Sequence, residues 1–234
     1  MPAPAARLIY HPRREFRRFD CTAVYFDTPS GNQDPYLWND AFLHSYCHIT
    51  QFHAEPGDIN LWVSGDRFPE FSSLYCDLVF VVASKCRWKN ANQLSPDDPL
   101  VDSREARADH YRWYPQHRLT RRSRYTLKAD PGQSFQPQDA SGALIDILPC
   151  LAEYGITLDS LRAGMRAGTG SQPMTIPVPA GEAITQALSH APITLHGAEL
   201  RRVRLHHPEL QSPDEETPSG TRSSPGAHSA RCGC

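Results

Sequence analysis

The sequence predicts an α+β fold: a small, curved, mostly antiparallel sheet, which could close into a barrel-like form, with helices from the C-terminal half. Three observations carry that expectation. In PGDINLWVSGD, Ile59, Leu61 and Val63 alternate with Asn60, Trp62 and Ser64, the period of a strand with one face in a core and one half-wetted. In LYCDLVFVVASK, residues 78 to 83 run apolar without alternation, as in a strand covered on both faces or one inside a tightly curved barrel. Beyond residue 140, GALIDILPCLAEYG, LDSLRAGMRAG and GEAITQALSHA have helical patterning.

Taken in order, residues 7 to 10 and 21 to 27 read as short strands, rich in aromatic and β-branched side chains. Between them Arg13, Arg14, Arg17 and Arg18 stand against Glu15 and Asp20. DTPSGNQDP is a loop by its turn formers, and YLWNDAFLHSYC is close to helical spacing, although a short strand could end it. Pro56-Gly57-Asp58 is a turn ahead of the alternating strand, and residues 66 to 76 form a loop after it. KNANQLSPDDPL is a further loop, and Ser103 can cap a helix over 104 to 111.

GALIDILPCLAEYG looks helical on either side of Pro149, with Gly155 as its stop, and Thr157 caps the next helix. ITLHGAELRRVRL suits a closing strand or hairpin. The expected organisation is a β-rich core over 1–130, a helical or mixed extension packed on it over 131–205, and a disordered tail over 206–234. That tail is too rich in Pro, Ser and Gly to bury a core.

Composition narrows the function classes. With 24 basic and 26 acidic residues the chain is near charge balance, which excludes a globally basic nucleic-acid binder but not a local patch. No run approaches the roughly 18 to 20 apolar residues of a membrane helix, and no signal core precedes the N-terminal arginines. The expectation is a cytoplasmic chain with no membrane association. Seven cysteines at irregular spacing favour reduced thiols over a disulfide framework.

The strongest chemical signal is the segment from Tyr111 to Lys128. Arg112, Arg118, Arg121, Arg122, Arg124 and Lys128 interleave there with Tyr111, Trp113, Tyr114 and Tyr125, and no acidic residue interrupts them after residue 111. Guanidinium groups neutralise phosphates and aromatic faces stack on bases, so the mixture suits nucleic acid or a nucleotide. The plain alternative is a solvated loop anchored by its aromatics. Trp62, opposite Leu61 and Val63 on its strand, is the tryptophan best placed to offer a stacking wall, and Asp66 could accept a hydrogen bond from a base edge.

HSYCHITQFH brings His44, Cys47, His48 and His53 within ten residues, but the spacing matches no zinc signature, so no metal or other cofactor is expected. If a reaction is catalysed, Asp58, Asp66, Cys47 and His48 are the candidates, although aspartates at such positions more often serve turns and caps.

The succession PSGNQDP, SYCHIT, PGDINLWVSGD and LYCDLVFVVASK resembles the nucleotide modification associated domain family over about residues 21–115. The resemblance rests on Cys47, Gly57, Asp58, Ser64 and Gly65, and ADHYRWY takes the place of the family's aromatic-acidic segment less convincingly. It implies a compact α+β domain associated with systems that make or handle modified bases in DNA. The expected function is therefore recognition or processing of a nucleotide or base in nucleic acid. The alternatives are an accessory protein-interaction module, or a small-substrate hydrolase or transferase centred on the His/Cys cluster.

Overall fold

The apolar run over 78–83 lies within a longer strand, Leu74–Arg87, the axis of the fold. The computed structural model describes residues 4–10, 14–19, 22–27, 45–49, 53–87, 125–165 and 173–206. In chain order the strands are β1 (Ala6–Tyr10), β2 (Arg14–Phe19), β3 (Thr22–Asp27), β4 (Ser45–Ile49), β5 (Ile59–Gly65), β6 (Leu74–Arg87), β7 (Tyr125–Ala129), β8 (Gln136–Gln138) and β9 (Ile145–Asp146). Helices α1 (Leu148–Glu153) and α2 (Leu158–Gly164) follow, then β10 (Met174–Ile176), α3 (Val178–Ser189), β11 (Ile193–Leu195) and α4 (Gly197–His206).

The main sheet has the order β10-β1-β5-β6-β7-β4, with β9 added beside β6. Its β1–β5 pair is parallel, and the other strand pairs are antiparallel. One edge of β6 is taken by β5; the other is shared by β7, by Phe135 paired with Val79, and by β9. The sheet runs from β10 to β4 without closing, so the barrel-like form is corrected to an open sheet. Two small sheets stand apart: the β2–β3 hairpin, and β8 with β11.

Each face of the main sheet has its own core. On one face Leu8, Leu61, Val63 and Val79 meet Leu151 of α1, Leu161 of α2, and Ala180, Ile184 and Leu188 of α3. The i, i+4, i+8 spacing in α3 aims one stripe at the sheet. Gly181 permits the close approach of α3 to β1, because a Cβ there would stand 2.4 Å from the Cβ of Ala6. On the other face Ile9, Trp62, Leu78, Phe80, Val82, Leu127 and Ala129 gather with Ala23 of the hairpin and Ala54. The expected half-wetted strand is thus enclosed: residues 60 to 64 of β5 are buried on both faces. Period-two alternation sorts side chains between two faces, but it does not say that the polar face is wet.

The helix ends follow local chemistry. Asp146 Oδ1 accepts from the N–H of Leu148 at 3.0 Å and of Leu74 at 3.1 Å, fastening the start of α1 to the start of β6. Pro149 sits in the first turn of α1, where its missing N–H costs nothing. The residues before it form β9 rather than the expected helix, because they pair with Tyr75 and Cys76. Gly155 stops α1 with φ +73°, and Thr157 caps α2 by accepting from Ser160 N at 3.2 Å. The expected closing strand or hairpin over 193–205 is also corrected: β11 is three residues long and the chain then turns into α4.

Candidate functional site: a buried polar row on β5

Asn60, Trp62 and Ser64 form the second face of β5, opposite Leu61 and Val63. Asn60 lies in register with Arg7 on β1 and Phe80 on β6, and Trp62 with Ile9 and Leu78. Ser64 Oγ donates to Asp77 Oδ1 at 2.9 Å. Asp77 occupies the register shift in which Trp62 pairs with Leu78 but Val63 pairs with Cys76, so it is the extra residue of a β-bulge. Bulges re-aim a side chain without ending the strand, and this one brings a fully buried carboxylate to Ser64.

Asn60 is the unusual member of the row. Its side chain is 1% exposed, and neither Nδ2 nor Oδ1 has a hydrogen-bond partner among the described residues. A buried carboxamide left in that condition costs about 1–3 kcal/mol per unsatisfied group, and most native structures avoid it. A related feature occurs at Gln138, whose Nε2 donates to the carbonyl of Ala23 while Oε1 lacks a partner among the described residues. That bond ties the β2–β3 hairpin to β8 on the side of the second core.

The carboxylates proposed from sequence have other duties. Asp58 is buried, and accepts from Arg7 Nη1 at 2.6 Å, Ala5 N at 2.8 Å and Glu55 N at 3.0 Å. It clamps the start of β1 to the start of β5, leaving little capacity for a substrate. Asp66 is exposed, but its oxygens accept from Ser72 Oγ at 2.8 Å, Ser72 N at 2.7 Å and Ser73 N at 3.3 Å. The Ser72 hydroxyl, then its backbone N–H, hold the Asp66 carboxyl at about 2, below the ordinary 3.8. Its acceptors are committed to its own loop rather than to a base edge.

Cys47 and His48 fall on β4 where its register with β7 shifts between Tyr46 and Ile49. Among the described residues no group of three or more His, Cys, Asp and Glu side chains could hold a metal ion. Cys76 faces the helix-side core, where burial first and the neighbouring Asp77 second push its thiol far up. Such a thiol is a poor nucleophile.

Trp62 is 2% exposed and packed in the second core, so it is no open stacking wall at a rim. It is the spacer that sets Asn60 and Ser64 apart along the strand. Lys128 is 5% exposed on β7, enclosed rather than presented to solvent. Arg112, Arg118, Arg121, Arg122, Arg124, Tyr111 and Trp113 lie outside the described residues. Sequence reasoning did not single out Asn60 as a site residue. The available signal was an asparagine inside a strand, where that residue type is depleted.

No protein-family model, curated protein or solved structure matches the chain. Among the described residues no helix is long and apolar enough to cross a membrane.

Proposed function

We propose that the protein recognises a nucleotide, or a base in nucleic acid, with the polar row of β5 reading the base and the basic-aromatic segment 111–128 holding phosphate. The observation that carries this reading is the Asn60 carboxamide, enclosed with both its donor and its acceptor open. A carboxamide pairs in bidentate fashion with an edge that offers an adjacent donor and acceptor, as adenine does through its exocyclic amine and ring nitrogen. Satisfying that amide would return the desolvation cost of the empty state to the bound state, so affinity and selectivity would have one source. The resemblance of residues 21–115 to the nucleotide modification associated domain family points the same way.

The test is fluorescence anisotropy with labelled single- and double-stranded oligonucleotides, at low and near-physiological salt. Wild type is compared with Asn60→Leu and with Arg121→Ala/Arg122→Ala. Binding that weakens with salt and with the arginine pair, and that loses base selectivity in Asn60→Leu, is the expected result. Trp62→Ala is a poor probe, because emptying that core position costs about 3–5 kcal/mol whatever the ligand. Absence of binding at low salt to every oligonucleotide, together with no response to free nucleotides, contradicts the proposal.

A further inference from the structure

We infer that the segment 53–57 is a hinged strap that closes the Asn60 site and swings aside to admit the ligand; this rests on the base reading proposed for Asn60. The Asn60 side chain is 1% exposed, so a base can reach it only when something over it moves. The strap enters β5 through Asp58, just ahead of Asn60. Its one buried residue is Ala54, whereas His53, Glu55, Pro56 and Gly57 are exposed. Ala54 packs in the second core with Trp62, the next residue of the polar row, and with Phe80, the register partner of Asn60 on β6. A single methyl group therefore seats the strap at the Asn60 end of the polar face.

The fastenings differ along the strap. At its far end Arg7 Nη2 donates to the His53 carbonyl at 2.8 Å. In its middle Lys85 Nζ reaches Glu55 Oε1 at 2.6 Å, and the Glu55 side chain is half exposed. The Glu55 N–H donates to Asp58 Oδ2, and the Asp58 N–H to the Glu55 carbonyl, both at 3.0 Å. An ion pair open to water is a weak latch. The near end is built differently, because the Gly57 N–H donates to the Val82 carbonyl and the Val82 N–H to the Asp58 carbonyl. Those bonds extend the β5–β6 ladder, so that end stays with the sheet. Pro56 fixes its own φ and stiffens the segment, and Gly57, at φ +92°, supplies the pivot. By contrast β5 itself is held by β1 on one side and β6 on the other. The strap is the element that can open without parting the sheet.

Amide hydrogen exchange of the full chain, followed by NMR without ligand, tests the hinge. The Glu55 and Asp58 amides should exchange together, roughly tenfold faster than those of Gly57 and Val82. Lys85→Met, which keeps the apolar stem, should speed Glu55 and Asp58 about threefold and leave Val82 unchanged, and Glu55→Gln should speed the Asp58 amide likewise. Stopped-flow association with the tightest-binding of the four common nucleoside 5′-monophosphates then tests the gate, and its rate should rise by the same factor in both variants. Asn60→Leu should weaken that binding and leave the exchange pattern as it is. Glu55 and Asp58 amides as slow as Val82, or faster exchange in Lys85→Met with no change in association rate, overturn the gate and leave the base reading standing. If none of the four monophosphates binds the folded protein, the base reading fails and the gate falls with it, whatever the exchange pattern.

Discussion

Replacing Asn60 by leucine should make the protein more stable. The carboxamide is 1% exposed, and its two polar atoms have no partner among the described residues. Each unsatisfied buried group costs about 1–3 kcal/mol, whereas leucine has the same number of side-chain heavy atoms and no polar atom to desolvate. Leucine keeps the branch point at Cγ but is bulkier than the planar amide against Phe80 and Arg7, its register neighbours, and overpacking of that kind typically takes back about 1–3 kcal/mol of the gain. The net expectation is a gain of about 1–3 kcal/mol. For a chain of this size that is a rise in Tm of roughly 2–4 °C per kcal/mol. Urea unfolding, read as a shift in midpoint at constant slope, measures it directly. The same variant should lose base selectivity, the usual trade between stability and a site held in an unfavourable state. A loss of more than about 1 kcal/mol on Asn60→Leu would refute the reasoning, because it would mean that the carboxamide is satisfied in the native protein.

Other substitutions separate structural from ligand-binding roles. Asp58→Ala removes the acceptor of a buried ion pair and of two backbone N–H groups, and should cost about 3–5 kcal/mol in chemical unfolding. Gly181→Ala forces a Cβ to within 2.4 Å of Ala6 and should destabilise by about 1–3 kcal/mol, with Ala6→Gly in the same chain recovering part of the loss. The folded-state pKa of Asp66 lies below its ordinary value of 3.8, so its contribution to stability is present above about pH 4 and is lost as pH falls through about 2. Ser72→Ala should move that titration back toward 3.8, as followed by carboxyl NMR. Cys76 should resist thiol reagents in the native state while Cys150, partly exposed on α1, reacts first, as mass spectrometry after timed labelling would record.

The parts of the fold that were legible are those in which a short window carries the cause. Alternation in 59–63 placed the faces of β5, the apolar run placed the centre of β6, and Gly155 and Thr157 marked one helix end and the next start. What was hidden depends on partners far along the chain. The enclosure of Trp62 comes from Ala23, Ala54, Leu127 and Ala129, and no local period predicts that they converge. The pairing of Ile145 and Asp146 with β6 overrode a helical pattern, because the strand partners Tyr75 and Cys76, and Leu74 bonded to Asp146 across 72 residues, lie far along the chain.

The site was legible in a different measure. Asp58 and Asp66 drew attention as carboxylates beside glycine turns, and the structure gives both to turn and strand anchoring, the commoner use of that residue type. Asn60 was visible as a polar residue in a strand, but its significance lies in burial without a partner. Asp77 interrupts an apolar run for a reason that appears only with the bulge that turns it to Ser64.

The most direct test of the central claim is the side-chain amide resonance of Asn60 in a 15N-labelled protein, assigned by its loss in Asn60→Leu and followed during titration with nucleoside monophosphates. Base recognition at the polar row predicts a large, saturable downfield shift of those amide protons, with the same midpoint as a calorimetric titration of the same ligand. A resonance that stays fixed while binding is seen by calorimetry would place the ligand elsewhere and contradict the account.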